Sequence, residues 1–508
     1  MSSQASDVEV VPTAKSPSLA EPRLPYLLLL VVFAASRVAY YLLGVRFDAR
    51  GVSKFFQIID PELLKHRLLQ SMYYLHTQPP GFNVYTGIVL KLFPEHYAVA
   101  FHVLHLIYGA AICCLLYHLM RVCGVRIPIA FTLTALFIVS PGVVLFENFF
   151  LYEYLLVFLL LMTAAALYYF FARKKTIYIV VFFFGILLLV LLRNQFHLIY
   201  LLAILGLLLY FGGHSRRAIL LAGILPIVLT FSLYFKNWVL FRTFSSSTWM
   251  GMNMDVITSH HLTPEEAKHF MDSGLISPVS LIDAGAPLSE YKPFITMPAK
   301  TGIPVLDEET TSTGVPNFNN IAYFQVQKYY VHDGLALLRH YPRVYLRSLE
   351  AAWFTYFLPT GDFPFFDQNR PKIWPIDRFF NVVFFGQWRE ASDRKAVRAV
   401  AASGHKLSLV LYSGTFLMTG LPLLWAWGIY YLISGLRRTS LELATAMLLG
   451  FLLFNITYLA GIANFLSSFE NNRYRFPVDG FYLILLGIAI EHISQRVTAW
   501  RPSAAGAS

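Results

Sequence analysis

Several side chains that do proton and phosphate chemistry stand where this chain is otherwise apolar. Asp48, in "GVRFDARG", follows directly on an apolar run of membrane length. A carboxylate at such an exit can take the proton of a hydroxyl or amine nucleophile if it stays ionised; a solvated loop aspartate is the alternative. Further on, "YLHTQPPGF" sets His76 and Gln78 against Pro79 and Pro80. This rigid, polar corner precedes an apolar stretch too short to span a bilayer, and Thr77 or Gln78 is expected to cap that short helix. The corner is expected to hold His76 and Gln78 towards whatever Asp48 faces.

Three further stretches carry charge at membrane depth, where it is costly and often functional. In "SPGVVLFENFFLYEYLLVF", Pro141 ends an apolar run, Glu147 opens the next and Glu153 lies deeper. Six residues apart, the two acids do not share a helical face. Glu153 needs a polar cavity or a cation; Glu147 is either a second candidate base or an acid complementing a helix N-terminus. In "LLRNQFHLIY", Arg193 and His197 stand one turn apart between two apolar runs. Arg193 suits a bidentate phosphate, with an Arg193–Glu153 pair as the structural alternative. In "SSFENNRYRFPVDG", Glu470, Arg473, Tyr474 and Arg475 precede Pro477, which is expected to start the final helix. The two arginines suggest an anionic ligand, or a lipid headgroup without further function. Lys236 closes the set, at the end of another apolar run.

What must position these residues is a membrane bundle. The chain has 508 residues, 56% hydrophobic and only 14% charged, against about a quarter charged in soluble domains. Apolar runs near 25–45, 97–119, 128–146, 150–172, 176–192, 195–213, 218–240, 407–435, 441–465 and 476–494 predict an all-α polytopic protein of about ten spans. Arg121, Arg126, Arg173, Lys174, Lys175, Arg216, Arg217, Arg437, Arg438, Arg496 and Arg501 fall in short loops or the tail on one side. The positive-inside rule makes that side cytoplasmic, and most of the net charge of +11 is loop charge of this kind. Asp48, His76, Glu147, Arg193, His197, Lys236, Glu470, Arg473 and Arg475 then share the outer side.

The expected organisation is a disordered cytoplasmic tail over 1–23, a transmembrane module over 24–240 with an outer loop at 46–96, and an extracytoplasmic or interfacial helical region over 241–406. Transmembrane helices over 407–495 and a cytoplasmic tail over 496–508 complete it. Within 241–406, "LTPEEAKHFMDSG" predicts a helix with Thr263 as N-cap, Pro264 first, Glu266 closing a capping box and Gly274 at the stop. Further helices are predicted over 320–340 and 342–357, the latter interfacial rather than spanning. Cys113, Cys114 and Cys123 form no disulfide framework. The sole Asn-x-Ser/Thr sequon, at Asn455, lies inside a span, which favours a bacterial membrane over an endoplasmic reticulum. No Walker loop, zinc spacing or nucleic-acid motif is present.

Taken in order, Asp48, the His76–Pro80 corner, the turn bearing Glu147 and Glu153, and the Glu470–Tyr474 "E-x-x-R-Y" turn resemble the membrane-embedded GT-C glycosyltransferases. That superfamily includes the bacterial aminoarabinose transferase and the protein O-mannosyltransferases. "KNWVLFRTFSSSTWMGMN" is similar to a stretch of its bacterial members. The resemblance implies a GT-C-type bundle that transfers a sugar, with inversion, from a polyprenyl-phosphate donor to an acceptor at the outer face of the membrane. The acceptor is a glycan, a lipid or a protein. It implies Asp48 as general base, with Glu147 as substitute. His76, Gln78, Glu153, Arg193, His197, Lys236, Glu470, Arg473, Tyr474 and Arg475 would place substrate, Arg193 and Arg473 on the leaving phosphate. The family's first loop often carries paired acids; here Asp48 has no acidic neighbour before Asp60 and Glu62, so no cofactor is called for and a divalent metal is not supported. The setting would be the inner membrane, or the endoplasmic reticulum in a eukaryote. A polysaccharide polymerase or ligase using lipid-linked donors, and a transporter or flippase, are the alternatives. A transporter would show matched repeats or broken helices, and the sequence shows no repeat.

Overall fold

The computed structural model describes residues 22–390 and 410–499. The tail before residue 22, the stretch 391–409 with the predicted start of the eighth span, and the tail from residue 500 with Arg501 lie outside the described residues. Among the described residues the chain is helical, with two isolated bridges and no strand.

The long apolar runs form helices α1 (Arg23–Leu42), α3 (Tyr97–Val122), α6 (Glu153–Arg173), α9 (Arg216–Phe241), α14 (Thr415–Arg437), α15 (Leu443–Leu466) and α16 (Asn471–Ala499). Among the described residues, seven helices are long and apolar enough to cross a membrane, because a span needs about twenty apolar residues. The chain is a helical membrane protein. Helix α6 is apolar on all sides and packs against α3, α15, α16 and α7 (Thr176–Leu192), so it forms the centre of the bundle. Shorter apolar helices are α7 and α8 (Leu198–Phe211).

The third apolar run breaks. Helix α4 (Ile127–Val139) stops at Ser140, and Pro141 starts α5 (Pro141–Glu147) at an angle of 57°. Proline removes a backbone donor and resets the chain direction. Glu147 therefore ends a short helix instead of opening the next span, which begins at Glu153. The final helix likewise begins earlier than expected. Pro477 lies inside α16, and Arg473 and Arg475 sit in its first turns. The "QPP" corner leads into α2 (Gly81–Leu92), whose N-cap is Pro80 with no side-chain cap. Thr77 is drawn instead to Asn319 Oδ1 at 3.3 Å, and so does not serve as the cap.

The 241–406 region has a core of its own, built on Met252, Tyr291, Phe318, Tyr323, Val326 and Tyr330. Among its helices are α10 (Met250–Ile257), α11 (Pro264–Asp272), α12 (Tyr323–His340) and α13 (Pro342–Tyr356). The capping box of α11 is present, with the Glu266 amide on Thr263 Oγ1 and the Thr263 amide on Glu266 Oε2. Gly274 closes it at φ +72°, a left-handed stop that glycine adopts without steric cost. This lobe sits on the loop before α2: Asp60 accepts from the Ser312 amide at 2.7 Å, and Phe56 stacks on Trp249 with centroids 4.8 Å apart.

Candidate functional site

The loop after α1 meets the turn after α5 through a short backbone pairing. The Asp48 amide donates to Asn148 O at 2.8 Å, and the Phe150 amide donates to Asp48 O at 3.0 Å. This bridge fixes the Asp48 side chain, which is 4% exposed. Its carboxylate is already engaged. Arg50 Nε lies 3.0 Å from both oxygens, Arg50 Nη2 lies 2.7 Å from Oδ2, and the Arg50 amide donates to Oδ1 at 3.0 Å. The same guanidinium reaches Asp367, Nη2 to Oδ1 at 2.6 Å. Arg50 holds the Asp367 carboxyl below its usual range.

Beside Arg50 opens a cleft of about 250 Å³. Arg50, Lys54 and Arg473 supply its cations, Asp367 and Glu470 its anions, and Phe55, Phe56, Phe149, Phe363 and Phe365 its walls. Lys54 is exposed and makes no ion pair among the described residues.

Arg473 reaches the cleft from a buried charge cluster. Its Nη1 lies 2.8 Å from Glu470 Oε2 and its Nε 3.1 Å from Glu153 Oε1, the latter an ion pair without hydrogen-bond alignment. Glu153 Oε1 also accepts from Arg193 Nη1 at 2.9 Å, while its Oε2 has no hydrogen-bond partner. Arg193 is 2% exposed and lies between the rings of Tyr152 and Tyr474, at 4.6 and 4.5 Å. The Arg193–Glu153 pair, the structural alternative to a phosphate ligand, is thus present, and Arg473 shares it. A buried acid with two cations and one idle oxygen forms a stiff electrostatic mount.

The remaining expected residues disperse. Both Glu147 oxygens are taken by Arg37, at 2.8 and 2.7 Å, and Tyr154 donates to Oε2 at 2.7 Å. His105 Nδ1 sits 2.9 Å from Glu147 O. His76 does not face Asp48. Its ring is enclosed, Nδ1 at 2.8 Å from Thr248 Oγ1 and Nε2 at 3.0 Å from Asn319 O, between Phe241 and Phe324. Burial pushes its pKa down to about 3, so it is a neutral pin between loop and lobe. Gln78 is buried beside it without a side-chain hydrogen bond among the described residues. His197 leads into α8 and contacts Tyr458 OH at 3.2 Å; Lys236 donates to Leu75 O at 2.6 Å.

Arg475 turns away from Arg473. Residues two apart on a helix face different ways, and Arg475 pairs with Asp479 at 2.9 Å while donating to Thr360 Oγ1 and Tyr356 O. It does not join an anion site with Arg473. Sequence reasoning missed Arg37, Arg50, Lys54 and Asp367. The signal for Arg37 was a lone arginine inside an apolar run. For Arg50 it was an arginine two residues from Asp48, the candidate base. No three His, Cys, Asp or Glu side chains among the described residues converge as a metal cage.

No known family model matches the chain, and no curated protein matches it.

Proposed function

We propose that the chain is an inverting glycosyltransferase of GT-C type. It would move a sugar from a polyprenyl phosphate to an acceptor at the outer face of the membrane. One observation carries the reading: a cleft walled by phenylalanines gathers Arg50, Lys54 and Arg473, and its Arg50 pairs with the buried Asp48 carboxylate. Cations on an aromatic floor suit an anionic headgroup whose tail stays in lipid. A carboxylate at the same place suits proton removal from an acceptor hydroxyl. Arg473 would stabilise charge developing on the leaving phosphate, with Glu153, Arg193 and Tyr474 holding it in position. Of the cleft residues, Arg50 comes from the resembling stretch around Asp48, and Glu470 and Arg473 come from the resembling E-x-x-R-Y turn.

The topology fits about ten crossings. To the seven long apolar helices are added the bent pair α4–α5, counted as one, and the shorter α7 and α8. Both termini would be cytoplasmic, with the cleft on the opposite side. The 57° break between α4 and α5 is the observation that favours transport instead, since broken helices line transport sites. No second bent pair matches it among the described residues.

The test is turnover in detergent with a panel of polyprenyl-phosphate sugars, reading release of lipid phosphate. Asp48→Asn keeps the shape and removes the proton acceptor. It is expected to lose roughly 10²–10⁴-fold in rate while still binding donor. Glu147→Gln is the control. It leaves Arg37 buried without its counter-charge, so it is expected to lose about 3–5 kcal/mol of stability with no selective loss of rate. Normal turnover by Asp48→Asn beside a dead but stable Glu147→Gln would move the base to Glu147. No turnover with any lipid-linked sugar, alongside facilitated flux of a lipid phosphate in vesicles, would favour transport.

A further inference from the structure

Asp48 cannot act as it stands, because Arg50 covers it. Asp48 is almost wholly buried, whereas the Arg50 side chain is 32% exposed and lines the cleft, so access to the carboxylate is through the arginine. Arg50 divides its donors between two acids of unlike exposure. Nε and Nη2 serve buried Asp48; Nη1 and Nη2 serve Asp367, whose side chain is 61% exposed. Lys54 follows Arg50 by four residues on one short helical turn, which puts both cations on the same side. The cleft's other cation is committed elsewhere: Arg473 is buried against Glu153 and Glu470. The partly exposed Arg50 and the exposed Lys54 are therefore the cations that an incoming anion meets first, before the buried Arg473.

We propose that Arg50 and Lys54 are the anion site of the cleft, and that Arg50 is a latch on Asp48. A phosphate group bound by Lys54 draws the guanidinium off Asp48 and Asp367, and only then is the Asp48 carboxylate free to receive a proton. This rests on the proposed function for the role of Asp48, but not for the anion site. A phosphate offers Arg50 two oxygens in the geometry a carboxylate offers, so the exchange replaces one charge-assisted pair with another. Proton acceptance is thereby tied to an occupied donor site, and an empty site leaves Asp48 neutralised.

Linkage makes the idea testable, because whatever competes with phosphate for Arg50 weakens phosphate binding reciprocally. The probes are undecaprenyl monophosphate in nanodiscs holding the full-length protein, and inorganic phosphate with the same nanodiscs. Asp367→Asn removes an exposed competitor, and is expected to tighten phosphate binding about 2- to 5-fold. Asp48→Asn is expected to tighten it further. Arg50→Ala is expected to weaken it at least about tenfold, and Lys54→Ala several-fold. A purely structural Arg50 gives the opposite sign: loss of either acid would loosen the loop and leave affinity unchanged or lower. Asp367 is exposed, so its variant reports even if the buried variants fold poorly. Tight binding that ignores Arg50→Ala and Asp367→Asn overturns the latch and leaves the glycosyltransferase reading standing. Binding of inorganic phosphate alone, with the expected signs, supports the latch and overturns the lipid-linked donor. No binding of either probe overturns both.

Discussion

At the residue scale, burial decides what each acid can do. Glu147 and Glu153 are both fully enclosed, yet Glu147 is satisfied by Arg37 and Tyr154 whereas Glu153 keeps an unpaired oxygen. Asp255, on α10 in the outer lobe, is a third case. It is 2% exposed, its Oδ1 has no hydrogen-bond partner, and burial, helped by Asp283 and Asp333 and opposed by Ser259, pushes its pKa up to about 8. An unfolded aspartate ionises near 4. Between those values the unfolded chain has released the proton and the folded lobe has not, so folding stability falls as pH rises from about 4 to about 8. Asp255→Asn removes that slope. Its Tm is expected to exceed that of the parent by a margin that grows from pH 5 to pH 8 and vanishes below about pH 4; thermal unfolding followed across that range checks it. A constant margin would mean that Asp255 does not titrate there.

At the element scale, the charge networks depend on close helix approach. Gly109 on α3 faces the Glu147–Tyr154 pair. A Cβ there would lie 2.5 Å from Glu147 Oε2 and 2.7 Å from both Tyr154 Oη and Phe33 Cε2. No rotation of a methyl group relieves three contacts of that length. Gly109→Ala is expected to cost about 1–3 kcal/mol by overpacking, seen as a lower Tm in detergent. Gly109→Ala combined with Glu147→Gln should cost less than the sum of the two, since they disturb one network. Strict additivity would show that α3 does not press on that pair. Gly81 does the same for α2. Its Cβ would meet Leu191 O at 2.6 Å, so the short helix after the prolines is pressed against α7.

At the scale of the whole molecule, the loop before α2, the lobe after α9 and the turns bearing Glu153 and Glu470 touch one another at one end of the bundle. The contacts are His76 to Thr248, His261 to Ser468 at 2.9 Å, and Arg473 to Glu153. The basic loops belong to the opposite helix ends, as with Arg126 on Glu491. The expected sidedness follows from the positive-inside rule. A cysteine introduced beside Glu266 should react with an impermeant thiol reagent in intact cells, and one beside Lys174 should react only after permeabilisation. The reverse pattern would invert the topology and place the cleft in the cytoplasm.

The sequence alone determined the helical membrane class, most helix positions and the capping box at Thr263, because hydropathy and capping are local and each is written in adjacent residues. It also marked Asp48, Glu153, Arg193 and Arg473 as charges needing an explanation. Which charge answers which was settled only by tertiary structure. Arg37 and Glu147 lie 110 residues apart, and Arg50 and Asp367 lie 317 apart. No periodicity links such positions. Their pairing depends on which helix faces meet and on where a proline breaks the chain, as at Pro141. Arg473 and Arg475, neighbours in sequence and alike in type, are sent to different partners by the same helical turn. A membrane interior offers no water to satisfy a stray charge, so the fold must supply every partner from somewhere else along the chain.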